Sequence, residues 1–339
     1  MKEALLPLLT GNGLGPPLGA FLVLGALVFL IASRLAQDAD LIADATGLGR
    51  LWIGSLLLAG STSLPELVTD LNAAVLGLPN IGVGDLLGST MANMLILASL
   101  DLAMPKRRIL ETVAVDHVLV ASLALLLTAM AGIAVTMGGW GSIGHVGIET
   151  LVIGCAYVLG MRVVYRSSGA TAPHGQLTLG ENSRSLLRRG LTGFALAAAG
   201  LLLTAPLLVI SADAVAIEAH VSTTAVGTLL VGFTTSFPEI AATVAAVRMG
   251  ALDLAVGNIF GSNAFNMFIL LPVDLAYLPG PVLTAVSSAH GVSAQFAVLA
   301  LALGILGILG RAARRVTLVH LESVAILGAY AGLAWYLVR

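Results

Sequence analysis

Cysteine occurs once in 339 residues, at Cys155, so neither a disulfide framework nor a cysteine-based metal centre can be built. Charge is also scarce: 10% of residues are Asp, Glu, Lys or Arg, and the net charge is −2. Such a balance carries no basic surface, and no nucleic-acid partner or bound cofactor is expected. His117, His145 and His290 stand apart, with no metal-ligand spacing among them. Long polar stretches are missing too, except at residues 166–190. The first apolar stretch lacks a basic leader and a small-residue cleavage site, so no cleavable signal peptide is expected.

What is present instead is hydrocarbon. With 58% hydrophobic residues and a mean hydropathy of +1.00, the chain lies far outside the range of soluble domains. A membrane-crossing helix takes roughly 20 apolar residues. Ten stretches qualify, near 17–45, 51–77, 82–103, 112–137, 147–165, 191–218, 223–249, 252–277, 284–309 and 317–337. The positive-inside rule tests that count. With ten spans and both termini outside, 14 of the 16 basic residues fall on the cytoplasmic side, and only Lys2 and Arg339 do not. The expected fold is an all-α polytopic membrane protein of ten transmembrane helices. Residues 1–165 and 191–339 form its five-helix halves, joined by a cytoplasmic linker at 166–190.

The halves are related. Residues 54–102 and 227–275 align without a gap at an offset of 173, with 19 of 49 positions identical. The identities include Thr62 and Thr235, Ser63 and Ser236, Pro65 and Pro238, Glu66 and Glu239, Gly88-Ser89 and Gly261-Ser262, and Asn93 and Asn266. Shared hydrophobicity would match Leu and Val, but it would not align the few polar, acidic and proline residues. Five spans separate the copies, so they cross the membrane in opposite directions. Inverted repeats of this kind place a site near the bilayer midplane and work by alternating access.

An ionisable group at the bilayer centre costs at least about 2.5 kcal/mol and marks a pathway or site. Thr62 and Ser63 precede Glu66 by four and three residues, so on a helix all three share a face. Thr235, Ser236 and Glu239 repeat the pattern. Pro65 and Pro238 lack an N–H, which frees the carbonyls of Ser61 and Thr234 and predicts a kink. Ser89 with Asn93, and Ser262 with Asn266, add a hydroxyl and an amide at four-residue spacing. Gly84, Gly88, Gly257 and Gly261 are read as close-packing positions. Carboxylates, hydroxyls and amides form an all-oxygen set that suits a hard cation such as Ca²⁺. Two glutamates balance one Ca²⁺, two Na⁺ or two protons, and that equality is a physical basis for exchange.

At these motifs the chain resembles the sodium/calcium exchanger family of cation/Ca²⁺ antiporters, in its prokaryotic ten-span form. The family's G-T-S-[LV]-P-E and G-S-N-x-x-N read here as S-T-S-L-P-E and T-T-S-F-P-E, and as G-S-T-M-A-N and G-S-N-A-F-N. The resemblance implies cation ligation by Thr62, Ser63, Glu66, Ser89, Asn93, Thr235, Ser236, Glu239, Ser262 and Asn266. It implies Ca²⁺ and Na⁺ as transported substrates and a bacterial or archaeal cytoplasmic membrane as the location. Ser61 and Thr234 depart from the motif glycine, and Thr90 from the usual Asn.

Asp70, one turn past Glu66, reads as a carboxylate in a wet cavity, as an outer-vestibule ligand or as a proton acceptor. Asp101 and Asp274 read as helix-end residues. Asp38, Asp40 and Asp44 read as a cytoplasmic vestibule or an interfacial cap. Rival functions are a Ca²⁺/H⁺ antiporter at the same site and a passive cation channel. An intramembrane protease has one foothold, Gly82-Val83-Gly84-Asp85, but that chemistry needs a Tyr-Asp partner and the chain has none.

Overall fold

A computed structural model describes residues 2–11, 13–104, 109–170, 181–218, 233–310 and 321–338, and the statements below concern those residues. Their main helices are α1 Lys2–Leu9, α2 Gly15–Thr46, α3 Arg50–Thr62, α4 Leu64–Val75, α5 Pro79–Ala103, α6 Ile109–Thr112, α7 His117–Met137, α8 Ile148–Ala170, α9 Glu181–Glu218, α10 Phe237–Arg248, α11 Leu252–Ala276, α12 Ala289–Leu309 and α13 Leu321–Val338. The chain is an all-α polytopic membrane protein of ten transmembrane helices in two inverted five-helix repeats.

Among the described residues, seven helices are each long and apolar enough to cross a membrane, and α3 with α4 makes an eighth, bent span. The apolar part of α13 is shorter, and the expected span at 223–249 is described only from residue 233, where α10 and its approach begin. In the expected linker, α8 runs on to Ala170 and α9 starts at Glu181; residues 171–180 lie outside the described set. A two-stranded hairpin between α7 and α8, β1 Ser142–Ile143 with β2 Val146–Gly147, was not expected from the apolar periodicity.

Prolines and glycines set many of the boundaries. Pro65 and Pro79 sit in the first turns of α4 and α5, where a missing N–H costs nothing. Gly47 and Gly138 end α2 and α7 at φ 66° and 74°, the left-handed cap that glycine takes freely.

Helices α5 and α11, the second arms of the repeats, are the most deeply buried, and neither has a polar outer face. Helix α11 packs against α3, α4, α5, α7, α8 and α10. The long α2 and α9 lie against each other at the periphery, with α10 also touching α2. The approach of α3 to α11 rests on absent side chains. A Cβ on Gly257 would lie 3.0 Å from the Leu51 carbonyl, and one on Gly261 would overlap the Ser55 backbone. That face of α3 is a π-helical turn, Ile53–Leu58.

The 173-residue relation continues past the aligned segment and governs contacts as well as sequence. His117 Nε2 lies 2.9 Å from Asp253 Oδ1, which also accepts from the Ala114 amide. At the paired positions His290 Nε2 lies 3.2 Å from Asn80 Oδ1, which accepts from the Ser287 amide. Such an exchange of partners is what a two-fold relation between halves produces. His117 and His290, which stand apart in the sequence, are thus one duplicated clamp, each reaching across to the other repeat's turn.

Asp101 and Asp274 form a similar pair. Asp274 accepts from the Gly147 and Val282 amides, and Asp101 from the Leu110 amide and the Ser323 hydroxyl. Both tie down chain at helix ends, as their positions suggest.

Candidate cation site

The site is assembled at two broken helices. Helix α3 stops at Thr62, Ser63 takes φ −87° and ψ 9°, and α4 departs at 45°. Ser236 makes the matching break at φ −77° and ψ 6°, immediately before α10. Pro65 and Pro238 follow by two residues, and each ring removes one donor from the helical ladder. Glu66 and Glu239 thus fall in the first turns of α4 and α10, at the positive ends of two helix dipoles. The hydroxyls of Thr62 and Thr235 sit at the ends of the preceding segments. Continuous helices would keep these groups on a smooth wall; the breaks bring backbone ends of both polarities to the same level.

All ten residues implicated by sequence are buried, none more than 1% exposed. Several meet across the repeats. Ser63 Oγ donates to Glu239 Oε1 at 2.8 Å. Ser89 Oγ lies 3.4 Å from Thr235 Oγ1. Asn93 Nδ2 donates to Asn263 Oδ1 at 2.9 Å. Thr62 Oγ1 stays with its own helix, 3.1 Å from the Leu58 carbonyl, and also lies 3.3 Å from Asn258 Oδ1.

The remaining acceptors are more telling. Both carboxylate oxygens of Glu66, Glu239 Oε2, Asn93 Oδ1, Asn266 Oδ1, Ser236 Oγ and Ser262 Oγ are buried without a hydrogen-bond partner. Leaving one polar atom so costs about 1–3 kcal/mol, more when it is charged, so seven in one region call for a ligand. Among the described residues no three His, Cys, Asp or Glu side chains converge. Any cation shell here therefore draws on hydroxyl and amide oxygens beside the two glutamates, a donor set that excludes zinc chemistry and fits Na⁺ or Ca²⁺.

Four further residues belong to this region. Asp85, the acid of the GxGD stretch, accepts from Thr235 Oγ1 at 3.1 Å. Asn258, its counterpart, lies against Thr62 and donates to Thr243 Oγ1 at 3.0 Å. Asn263 meets Asn93. Asp70 is fully buried, not held in a wet cavity. The aligned pairs 85/258 and 70/243 carried a signal, because polar residues in matching places of two lipid-like segments are rare, but that signal did not show that Asp70 and Asp85 meet.

The glycine reading holds for Gly257 and Gly261 but not for Gly88, where an added Cβ would meet no atom within 4 Å. Of the aspartates near the end of α2, Asp38 is buried and paired with Arg34 at 2.9 Å, and Arg50 bridges Asp40 and Asp44. A cavity of about 620 Å³ opens beside Asp40, Arg50 and Asp253, in keeping with a vestibule.

Comparison with known proteins agrees with this architecture. The family model described as sodium/calcium exchanger protein matches residues 17–168 and 189–339. The putative antiporter CaxA of Alkalimonas amylolytica is 29% identical over 292 residues, covering 83% of this chain and 88% of its own length. Inner membrane protein YrbG of Escherichia coli K12 is also 29% identical, over 78% of this chain and 81% of its own. Among solved structures, the sodium-calcium exchanger NCX_Mj soaked with 10 mM Na⁺ and zero Ca²⁺ superposes with a TM-score of 0.73. It shares 22% identity over 95% of this chain and 99% of that one, a likeness of fold.

Proposed function

Because the chain belongs to the sodium/calcium exchanger family, we propose that it exchanges Ca²⁺ for Na⁺ across a bacterial or archaeal cytoplasmic membrane, with both termini outside. Cation antiport follows from the family. Ca²⁺ and Na⁺ as the ions, and the ten residues as their ligands, are our reading. The observation that carries it is the set of buried oxygens without donors, centred on Glu66 and Glu239 and supplied by both repeats. Seven oxygens match the six to eight that Ca²⁺ takes, and two carboxylates match its charge.

Charge balance supplies the coupling. The doubly negative empty site is costly to bury, so occupied states interconvert faster than empty ones. Two Na⁺ neutralise the glutamates as well as one Ca²⁺ does, and either load carries the same site through the occluded state. Rocking one repeat against the other about the broken helices then exposes the site to alternate sides.

Two protons satisfy the same balance, so proton-coupled exchange is the second reading. ⁴⁵Ca²⁺ uptake into proteoliposomes separates the two. Uptake driven by internal Na⁺ at symmetric pH is the expected result. Uptake only under a proton gradient replaces Na⁺ with H⁺, and uptake that needs neither makes the chain a channel.

A further inference from the structure

A second set of buried acids lies beside the central glutamates. Asp70 sits one turn beyond Glu66 on α4, and Asp85 one turn before Ser89 on α5; neither is more than 2% exposed. Their carboxyl groups face each other, and none of the side chains acting on either is cationic. Gly82 brings α5 against this point, since a Cβ there would lie 3.5 Å from Asp70 Cβ. Thr235 Oγ1 donates to Asp85 Oδ1, but Asp85 Oδ2 and both oxygens of Asp70 are buried with no donor.

The other repeat is an internal control. At the equivalent positions Asn258 Nδ2 donates to Thr243 Oγ1 at 3.0 Å, and Thr62 Oγ1 lies 3.3 Å from Asn258 Oδ1. That triad is neutral, and both ends of the Asn258 amide lie within hydrogen-bond reach of a hydroxyl. In the first repeat the same two positions hold acceptors only. When both are ionised, two facing carboxylates have no hydrogen to share and repel each other; one proton between them would satisfy one oxygen of each and leave the others bare. The compensating positive charge is either a proton shared by the pair or a bound cation. Acceptor-only oxygens select a hard cation, and two carboxylates match a divalent charge.

We propose that Asp70, Asp85 and the Thr235 hydroxyl oxygen bind a second Ca²⁺ ion, on the side of the central site facing the turn at residues 76–78. Thr235 belongs to both sites, so the second ion sits next in line to the first. The inverted repeat, with Thr243 and Asn258, has no such station, and the path is acidic on one side only. The inference rests on the cation reading of the central site for its cargo, not for its residues.

Equilibrium ⁴⁵Ca²⁺ binding to the purified full-length chain in Na⁺-free buffer tests it. The native chain should bind two ions. Asp70→Thr combined with Asp85→Asn, which copies the triad already present in the other repeat, should bind one. Glu66→Gln with Glu239→Gln should also bind one. A single ion in the native chain, lost in the glutamate variant and kept in the aspartate variant, overturns the inference and leaves the central site standing; protons would then hold the aspartate pair. A single ion lost only in the aspartate variant supports the second station and removes the central assignment. If the double aspartate variant is not monodisperse, Asp85→Asn alone decides, since two ions retained there overturn the proposal.

Discussion

In one half of the molecule Ser63 Oγ donates across the repeat interface to Glu239 at 2.8 Å; in the other, the matching Ser236 Oγ has no partner and Glu66 keeps both oxygens bare. Asp70 and Asp85 face each other where Thr243 and Asn258 share a hydrogen bond, and His117 pairs with Asp253 where His290 meets Asn80. What the halves hold in common is backbone: the breaks at Ser63 and Ser236 and the prolines after them. Where they differ is in which groups carry charge. Duplication fixed a geometry with a two-fold relation, and each side of the ion path was then free to take its own charge, because replacing Asn by Asp or Thr by Asp leaves the helix unchanged.

The largest effect should come from the feature the halves share. Glu66→Gln or Glu239→Gln is expected to reduce ⁴⁵Ca²⁺ uptake in proteoliposomes to the level of empty vesicles, with an unchanged size-exclusion profile. Near-native uptake by either variant would remove the two glutamates from the site.

Packing comes next, and here the repeats should part. Gly261→Ala drives a methyl into the Ser55 backbone, and overpacking of this kind costs about 1–3 kcal/mol. Gly88→Ala meets open space and should be neutral or slightly stabilising, since alanine favours helix by about 1 kcal/mol over glycine. Thermal melts of the two variants in one detergent check the contrast; equal melting points would show that the α3–α11 approach is not limited by Gly261.

A smaller difference separates the serines. Ser63→Ala deletes a hydrogen bond to a buried carboxylate, about 1.5–3 kcal/mol where the acceptor is charged. Ser236→Ala deletes none and should change cation-free stability by about 0.5 kcal/mol or less. In the Ca²⁺-loaded protein the order should narrow, because both hydroxyls would then serve as ligands. If Ser236→Ala leaves Ca²⁺ affinity untouched, Ser236 is not one.

The smallest change makes the halves alike. Asp253→Asn reproduces the Asn80 partner of His290 and keeps an oxygen to accept from Ala114 and His117. A loss of less than about 1 kcal/mol is expected, since a neutral hydrogen bond replaces a charge-assisted one. A collapse of folding would give the charge of Asp253 a structural weight that Asn80 lacks.

Much of this was legible along the chain. Hydropathy and basic-residue placement gave the spans, because the bilayer admits few ways to satisfy a backbone. The 173-residue offset singled out Thr62, Ser63, Glu66, Ser89 and Asn93 with their partners, because only identical polar residues stand out against a lipid-like background. Asp70 and Asp85 stood out singly, but nothing along the chain showed that they face each other, because their counterparts Thr243 and Asn258 are different residues. The same filter hid the relation between His117 and His290, which lie beyond the gapless segment. The π-turn at 53–58 and the helical continuation of α8 into the polar stretch gave no periodic sign.

The sequence by itself determined the class, the ten crossings, the inversion and the positions of the two glutamates, since all of these follow from local composition and from self-similarity at a fixed spacing. Only the tertiary structure decided which of those groups meet. Ser63 finds Glu239 176 residues away, Asp85 takes a hydrogen from Thr235, and Asp70 is sealed from water. A hydrogen bond or a charge repulsion depends on separations of a few ångströms between side chains on different helices, and no spacing within one helix encodes them.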